Sequence, residues 1–175
     1  MPDVPDVEEC AVCAQRGERR VAVRTVEGLK LCEACAERGV RIVGADLGTG
    51  FEAVRQADDP AVRAEACATL ARTCQELCDW LERSIANAES TKATAPVLPD
   101  HLERLANRAD TAFVTARTAM KNLRDAAIAG AITLADSRGD VEEEYEAASA
   151  AMKDLSARLD RLQRESQLHG ERTPD

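Results

Sequence analysis

Four cysteines near the start of the chain form two pairs, each with two residues between its members. Cys10 and Cys13 stand in CAVC, Cys32 and Cys35 stand in CEAC, and 18 residues separate the pairs. At this spacing each pair can span one edge of a tetrahedron around Zn²⁺. A redox role for CxxC motifs would favour a βαβ unit beside them, which the sequence does not indicate. The spacing therefore predicts one structural zinc ion, because an all-cysteine site leaves no coordination position open.

The residues between the pairs must bring the two edges of the site together. The segment RRVAVRTV at 19–26 alternates apolar and polar residues at strand period, and LKLC at 29–32 indicates a returning strand. From Glu33 the pattern predicts a short helix that ends near Gly39 or Gly44. We therefore expect a small zinc finger built from a β-hairpin and a short helix.

Residues 8–45 resemble the four-cysteine treble-clef zinc fingers. CAVC corresponds to the knuckle, RRVAVRTVEGLKL to the hairpin and CEAC to the first turn of the following helix. The piece GLKLCEACAERG is similar to the corresponding part of GATA-type fingers. The Trp-Arg region and the basic tail of GATA fingers are missing, however. The resemblance implies a treble-clef fold, which many functions share.

The charge of the chain argues against DNA binding by this protein alone. Residues 8–45 hold seven Arg or Lys against six Glu, and the residues from 46 onward hold 16 Arg or Lys against 24 Asp or Glu. Contacts to phosphate dominate affinity for DNA and require positive charge. A small basic edge could form from the hairpin arginines, Arg16, Arg19, Arg20 and Arg24. We favour charge alternation on an exposed hairpin as their explanation, so we expect nucleic-acid contact only with the help of a partner.

Three further cysteines, Cys67, Cys74 and Cys78, fall within about 40° of one another on a helical wheel. Such a thiol stripe can bind Cu(I), which prefers soft ligands. The same stripe contains Leu70 and Leu77, however, and cysteine is a common small core residue. We favour core residues without a ligand.

The rest of the chain, 46–168, predicts an alanine-rich bundle of three long helices in up-down-up order. The predicted helices span 60–90, 100–135 and 140–168, after a loop at 44–50 and a short helix of FEAVRQA. Start signals are Asp59 before a proline and three capping boxes: Thr49 with Glu52, Asp100 with Glu103, and Asp140 with Glu143.

Apolar spacing predicts how these helices pack. The last helix has an a/d seam of Val141, Tyr145, Ala148, Met152, Leu155, Leu159 and Leu162. The helix before it has an apolar arc of Leu102, Leu105, Ala109, Phe113, Ala116, Met120, Leu123, Ala127 and Leu134. The run AAIAGAITLA at 126–135 is apolar nearly all round, which indicates burial on two sides, in an oligomer interface or under the zinc module. Trp80 is expected to be a packing residue.

Composition limits both the partners and the location of the protein. Only 2% of the residues are aromatic, which leaves few platforms for stacking of nucleic-acid bases. Apolar runs stay shorter than the ~20 residues of a membrane helix. The acidic start MPDVPDVEEC lacks the apolar segment of a secretory leader, and seven cysteines without a leader indicate a reducing compartment. We expect a cytoplasmic protein with disordered ends at 1–7 and 169–175.

Catalytic motifs of the Ser-His-Asp, HExxH and P-loop types are missing from the sequence, and no small-molecule substrate is indicated. The expected function is therefore a non-catalytic interaction or assembly protein, in which zinc fixes a rigid surface and the bundle self-associates or binds a partner. One alternative is a transcription-associated regulator whose finger contacts polymerase or nucleic acid. Another is thiol-based metal storage or redox sensing.

Overall fold

Helices make up most of the chain, which divides into two units, Met1–Gly48 and Thr49–Asp175. The computed structural model describes residues 9–10, 13, 18–26, 29–94 and 97–172, without the side chains of 24–26, 29, 36–46 and 171–172. Its elements are β1 (Arg24–Val26), β2 (Leu29–Leu31), α1 (Glu33–Gln56), α2 (Pro60–Thr94), α3 (Asp100–Ile132) and α4 (Arg138–Arg172).

The first unit contains a short antiparallel strand pair. β1 and β2 pair with Arg24 opposite Leu31, and an isolated backbone bridge joins Glu9 to Val21. α1 follows β2 closely and begins at Glu33, whose carboxylate in the first turn interacts favourably with the helix dipole. The second cysteine pair therefore lies where β2 ends and the first turn of α1 begins.

α1 is longer than the sequence pattern predicts. The predicted end near Gly39 or Gly44 is wrong, because the helix continues to Gln56. The loop predicted at 44–50 is likewise helical. A glycine inside a helix costs only about 1 kcal/mol relative to alanine, so glycines scattered along a helix need not end it.

The predicted capping box of Thr49 with Glu52 is also wrong, because both residues lie inside α1. The Glu52 carboxylate instead accepts hydrogen bonds from the Arg55 guanidinium at 2.8 and 3.0 Å and from the Gln56 amide at 2.7 Å. These are contacts between successive turns of a continuing helix, which stabilise it in place of a cap.

α2, α3 and α4 run antiparallel in succession. Polar contacts between α2 and α3 join Lys92 to Asp110, Glu82 to Lys121 and Gln75 to Arg124. Residue numbers therefore rise along one helix as they fall along the other. Likewise, the ring of His101 at the start of α3 lies 6.0 Å from that of His169 near the end of α4. This is the up-down-up order that the sequence predicts.

The predicted start of α2 is confirmed, because Asp59 Oδ1 accepts hydrogen bonds from the backbone N–H groups of Ala61 and Val62 at 2.8 and 3.0 Å. The predicted end at 90 is too early, since α2 continues to Thr94. Ser, Thr and Lys are acceptable on an exposed helix face, so the polar composition of this segment does not end the helix.

The capping box predicted for α3 is wrong. Pro99, in an extended conformation, precedes the helix, and its carbonyl accepts hydrogen bonds from the N–H groups of Leu102 and Glu103. Asp100 is thus the first helical residue, and its side chain makes no capping bond. α3 ends at Ile132, before the predicted 135.

The capping box predicted for α4 at Asp140 is wrong as well, because the helix begins at Arg138. Asp136 Oδ1 accepts a hydrogen bond from the Arg138 N–H at 3.1 Å, and the same carboxylate bonds the Arg138 guanidinium. The end is also later than predicted: residues 169–172, expected to be disordered, are helical. The other predicted disordered residues, 1–7 and 173–175, lie outside the described part of the chain.

The core of the second unit follows the predicted apolar arcs. Fully buried residues include Leu70, Leu81, Ala116, Met120, Leu123, Ala127, Val141, Ala148 and Leu155. Leu134 is an exception: it lies past the end of α3 with 76% of its surface exposed. Ile128 and Ile132 of the 126–135 run are also exposed on the surface of the second unit.

Candidate metal centre

The four cysteines of the first unit meet at one point. Cys10, Cys13, Cys32 and Cys35 each offer one sulfur atom, and the four sulfurs lie within 4.8 Å of one another. The first three side chains are buried and Cys35 is half-buried. The two predicted pairs are therefore brought together in a group that could hold a metal ion.

Backbone hydrogen bonds position each pair. The Cys10 N–H donates to the Arg20 carbonyl at 2.7 Å, which ties the first pair to the segment that leads into β1. The Cys35 N–H donates to the Cys32 carbonyl at 3.0 Å, as α1 begins. A backbone hydrogen bond to the segment before β1 thus holds Cys10, and the start of α1 holds the second pair.

The sulfur spacing fits a tetrahedral metal site. The Sγ atom of Cys13 lies 3.8 Å from that of Cys32 and 3.6 Å from that of Cys35. Four sulfurs that each bind a central ion at about 2.3 Å stand about 3.8 Å apart along every edge of the tetrahedron. The residues present therefore fit a thiolate-bound ion whose coordination shell is closed.

Burial and crowding favour the protonated form of these thiols. Burial and, after it, the neighbouring thiols together raise the pKa of Cys13 to about 12. The pKa of Cys35 is also raised, chiefly by the Cys32 thiol. Because a metal binds the thiolate, a cation that binds here must displace protons, and its affinity must fall as the pH falls.

Apolar packing around the cysteine site is small among the described side chains. The cluster there consists of Cys10, Cys13, Leu31 and Cys32, with Ala34 and Cys35 partly buried against them. Leu31 is the only large aliphatic side chain in this cluster, and burying one leucine contributes roughly 1.5–3 kcal/mol. A bound ion would therefore be a major source of folding free energy for this unit.

The predicted basic edge beside the site is largely paired with acidic residues. Arg19 lies 3.5 Å from Glu9, and Arg20 lies 3.7 Å from Glu18. The side chains of the other two hairpin arginines lie outside the described part of the structure. The two arginines whose side chains are described, Arg19 and Arg20, therefore each lie near a carboxylate and do not form a concentrated positive surface.

Two valines close to these arginines point outward. Val21 has 55% of its surface exposed and Val23 has 60%. The Val23 N–H donates to the Leu31 carbonyl at 2.9 Å, so the backbone is fixed while the side chain stays in solvent. The alternating sequence predicts a strand here, but it does not predict that this apolar face is uncovered.

The second set of cysteines has a different environment. Cys67, Cys74 and Cys78 are almost completely buried in α2, and they form no three-ligand group among the described side chains. Burial raises the pKa of Cys74 to about 12 and also raises the pKa values of Cys67 and Cys78. These features agree with the preferred interpretation of the three as core residues.

Comparison with known protein families, with curated proteins and with solved structures finds no match to this chain. None of the described helices is both long enough and apolar enough to cross a membrane. The geometry of the cysteine site and the surfaces of the two units are therefore the features that bear on function.

Proposed function

We propose that this protein is a non-catalytic interaction module, in which a zinc ion bound by Cys10, Cys13, Cys32 and Cys35 fixes a treble-clef-like finger. The observation that carries the proposal is the group of four cysteine sulfurs within 4.8 Å of one another, with the Sγ atom of Cys13 at 3.8 and 3.6 Å from those of Cys32 and Cys35. Zn²⁺ is the usual occupant of closed four-cysteine sites, and a closed site has no position at which a substrate could bind the metal. In this proposal the role of zinc is structural, and the protein acts in the cytoplasm.

The exposed valines support a protein as the partner of the finger. Val21 and Val23 present an apolar strand face, while Arg19 and Arg20 are already close to carboxylates. Exposed apolar side chains favour protein contacts, whereas DNA requires a concentration of positive charge. The transcription-associated alternative would therefore depend on polymerase or another protein for most of its affinity.

A pull-down from the native host tests this function. The full chain is used as bait, and the double variant Val21→Asp with Val23→Asp is compared with Val62→Asp with Val114→Asp. The second pair consists of exposed valines of the helical unit and controls for the added charge. We expect the finger variant to keep its zinc and to lose a partner protein that the wild type and the control retain. Retention of every partner by the finger variant would contradict the role given to this surface.

A further inference from the structure

A groove of about 650 Å³ opens in the helical unit, between the C-terminal halves of α2 and α4 and the N-terminal half of α3. Ala109 and Phe113, both buried, belong to its lining on α3, and Leu159 and Leu162 line it on α4. Leu98 also lines it, in the connection between α2 and α3, with 42% of its surface exposed. The groove is mostly apolar, with polar side chains of Thr91, Lys92, Glu103, Asn107 and Asp110 also in its lining. It is large enough for several side chains of a ligand.

The groove exists because α3 packs against both neighbours, while α2 and α4 make no comparable packing with each other in the described residues. Two helices that flank a third with little packing between them leave room for a fourth, as in a four-helix bundle. The position of the groove is therefore that of a missing fourth helix.

Near the opposite ends of α2 and α4, a helix of this chain, α1, lies against both of them. Near the end of α1, the ring of Phe51 stacks on that of Tyr145 in α4 at 4.0 Å, and Val54 is 1% exposed. The backbone of the same turn lies close to α2 at Gly50, since a Cβ atom added at Gly50 would lie 3.2 Å from Leu70 Cδ1. The last turns of α1 thus contact both α2 and α4 near their N-terminal ends, and the groove lies further along those two helices.

We propose that this groove binds an amphipathic helix of a protein partner. The inference deepens the proposed function and rests on it, since it adds a second contact surface to the interaction module. The α3 lining runs from Glu103 to Phe113, a rise of about 15 Å, which matches roughly three turns of helix. The partner helix presents apolar residues at i, i+3 or i+4, and i+7.

Charge at the rim specifies the partner further. Lys92 pairs with Asp110 and donates a hydrogen bond to Asn107 at 3.1 Å, so its charge is compensated within the groove. Glu103 adds a carboxylate to the lining. The residues from 46 onward carry 16 positive against 24 negative side chains, a net charge of −8. A partner helix with basic residues on its flanks complements this field.

The only tryptophan of the chain reports on the groove. The ring of Trp80 in α2 lies 6.2 Å from that of Phe113, which lines the groove. A helix that covers Phe113 changes the packing and solvation around both rings. Binding is therefore expected to change the emission of Trp80.

Photocrosslinking in the native host tests the proposal. The full chain carries p-benzoylphenylalanine in place of Ala106, in the groove, or in place of Ala150, an exposed residue of α4 outside it. After irradiation, the crosslinked residues are mapped by mass spectrometry. We expect adducts specific to position 106 on a segment of another protein that has the apolar spacing and basic flanks described above. Adducts on residues 1–48 of this chain, adducts on a second copy, or no adduct at position 106 would overturn the proposal.

The mapped segment is then made as a synthetic peptide and titrated into the purified full-length protein. We expect the Trp80 emission to change, and the affinity to fall at least tenfold in Ala106→Glu and in Leu98→Glu but not in Ala150→Glu. Leu98 lies outside the helices, so its variant keeps the test valid if Ala106→Glu misfolds. An unchanged affinity in Leu98→Glu and in a folded Ala106→Glu would overturn the proposal.

If those variants keep their partners in the pull-down while the Val21 and Val23 variant loses one, the groove proposal fails and the proposed function stands. Loss of no partner in any variant contradicts both.

Discussion

The first unit and the second unit both bury cysteines, but the two sets have opposite surroundings. In the first unit the sulfurs face one another, with Cys13 Sγ 3.6 and 3.8 Å from two neighbours, and Leu31 is the one large aliphatic side chain in the cluster. In α2 the cysteines are separate members of a helical stripe that also holds Leu70 and Leu77. Cysteines in close pairs on different elements converge on a point, whereas cysteines at helical period share a line. Among the described side chains, only the first set converges on one point.

The largest expected difference between the two units is their response to metal removal. We expect a strong chelator to unfold the finger, because structural zinc supplies roughly 10 kcal/mol or more in small zinc domains. Hydrogen exchange resolves the outcome: the amides of Cys10, Val23 and Cys35 lose protection, while those of α3 keep it. Equal loss in both units would show that the helical core also depends on the ion.

A smaller effect is expected when the cysteines of α2 are replaced. Cys67→Ala, Cys74→Ala and Cys78→Ala together remove three buried sulfurs, and each deletion costs about 1 kcal/mol, as for one core methylene. Urea unfolding measures the loss, and metal analysis provides the control. An unchanged zinc content would show that the α2 cysteines do not contribute to metal binding. A loss of bound metal would show that they do.

Gly130 tests how closely the helices around Cys67 approach. A Cβ at this position would lie 2.8 Å from Cys67 Sγ and 2.7 Å from Ser137 Oγ. We expect Gly130→Ala to destabilise the protein by about 1–3 kcal/mol through overpacking, although alanine is the better helix former. Part of the loss should disappear when Cys67→Ala is added, which thermal or urea unfolding of the double variant would detect. A stabilising Gly130→Ala would show that the helices are further apart.

Alkaline pH gives the smallest effect. Burial raises the pKa of Cys74 from its ordinary value near 9 to about 12, so above pH 9 the unfolded chain releases this proton first. The contribution of the buried thiol is complete below pH 9 and is lost as the pH rises towards 12. At pH 10 the loss is about 1 kcal/mol. Urea unfolding at pH 8 and pH 10 measures it, and Cys74→Ala should reduce the difference between the two.

The sequence predicts the features that depend on local chemistry or on period. The spacing of the first four cysteines places them at one site, and the a/d seam of α4 predicts that Val141, Ala148 and Leu155 are buried. Features that depend on the packing of several elements cannot be predicted from local spacing or period. The glycines of α1 indicate a loop when considered alone. The groove arises because α2 and α4 both pack on α3 and, in the described residues, only slightly if at all on each other, which no motif encodes.

Helix starts show the same limit at a smaller scale. Asp59 caps α2 as predicted, whereas Asp100 and Asp140 lie inside α3 and α4. An aspartate with a glutamate three residues later is acceptable both at a cap and in a first turn, because both carboxylates interact favourably with the helix dipole there. The pattern therefore locates a helix start to within a turn, and the preceding residues decide the actual cap.

Native mass spectrometry of the full chain, purified without added metal or chelator, tests the central claim most directly. The account predicts one zinc ion per chain in the wild type and in the Cys67→Ala, Cys74→Ala and Cys78→Ala variant, and loss of that ion in Cys32→Ser. The same spectra report the oligomeric state. A wild-type protein without zinc, or a Cys32→Ser variant that keeps one zinc ion per chain, would contradict the assignment of Cys10, Cys13, Cys32 and Cys35 as a structural zinc site.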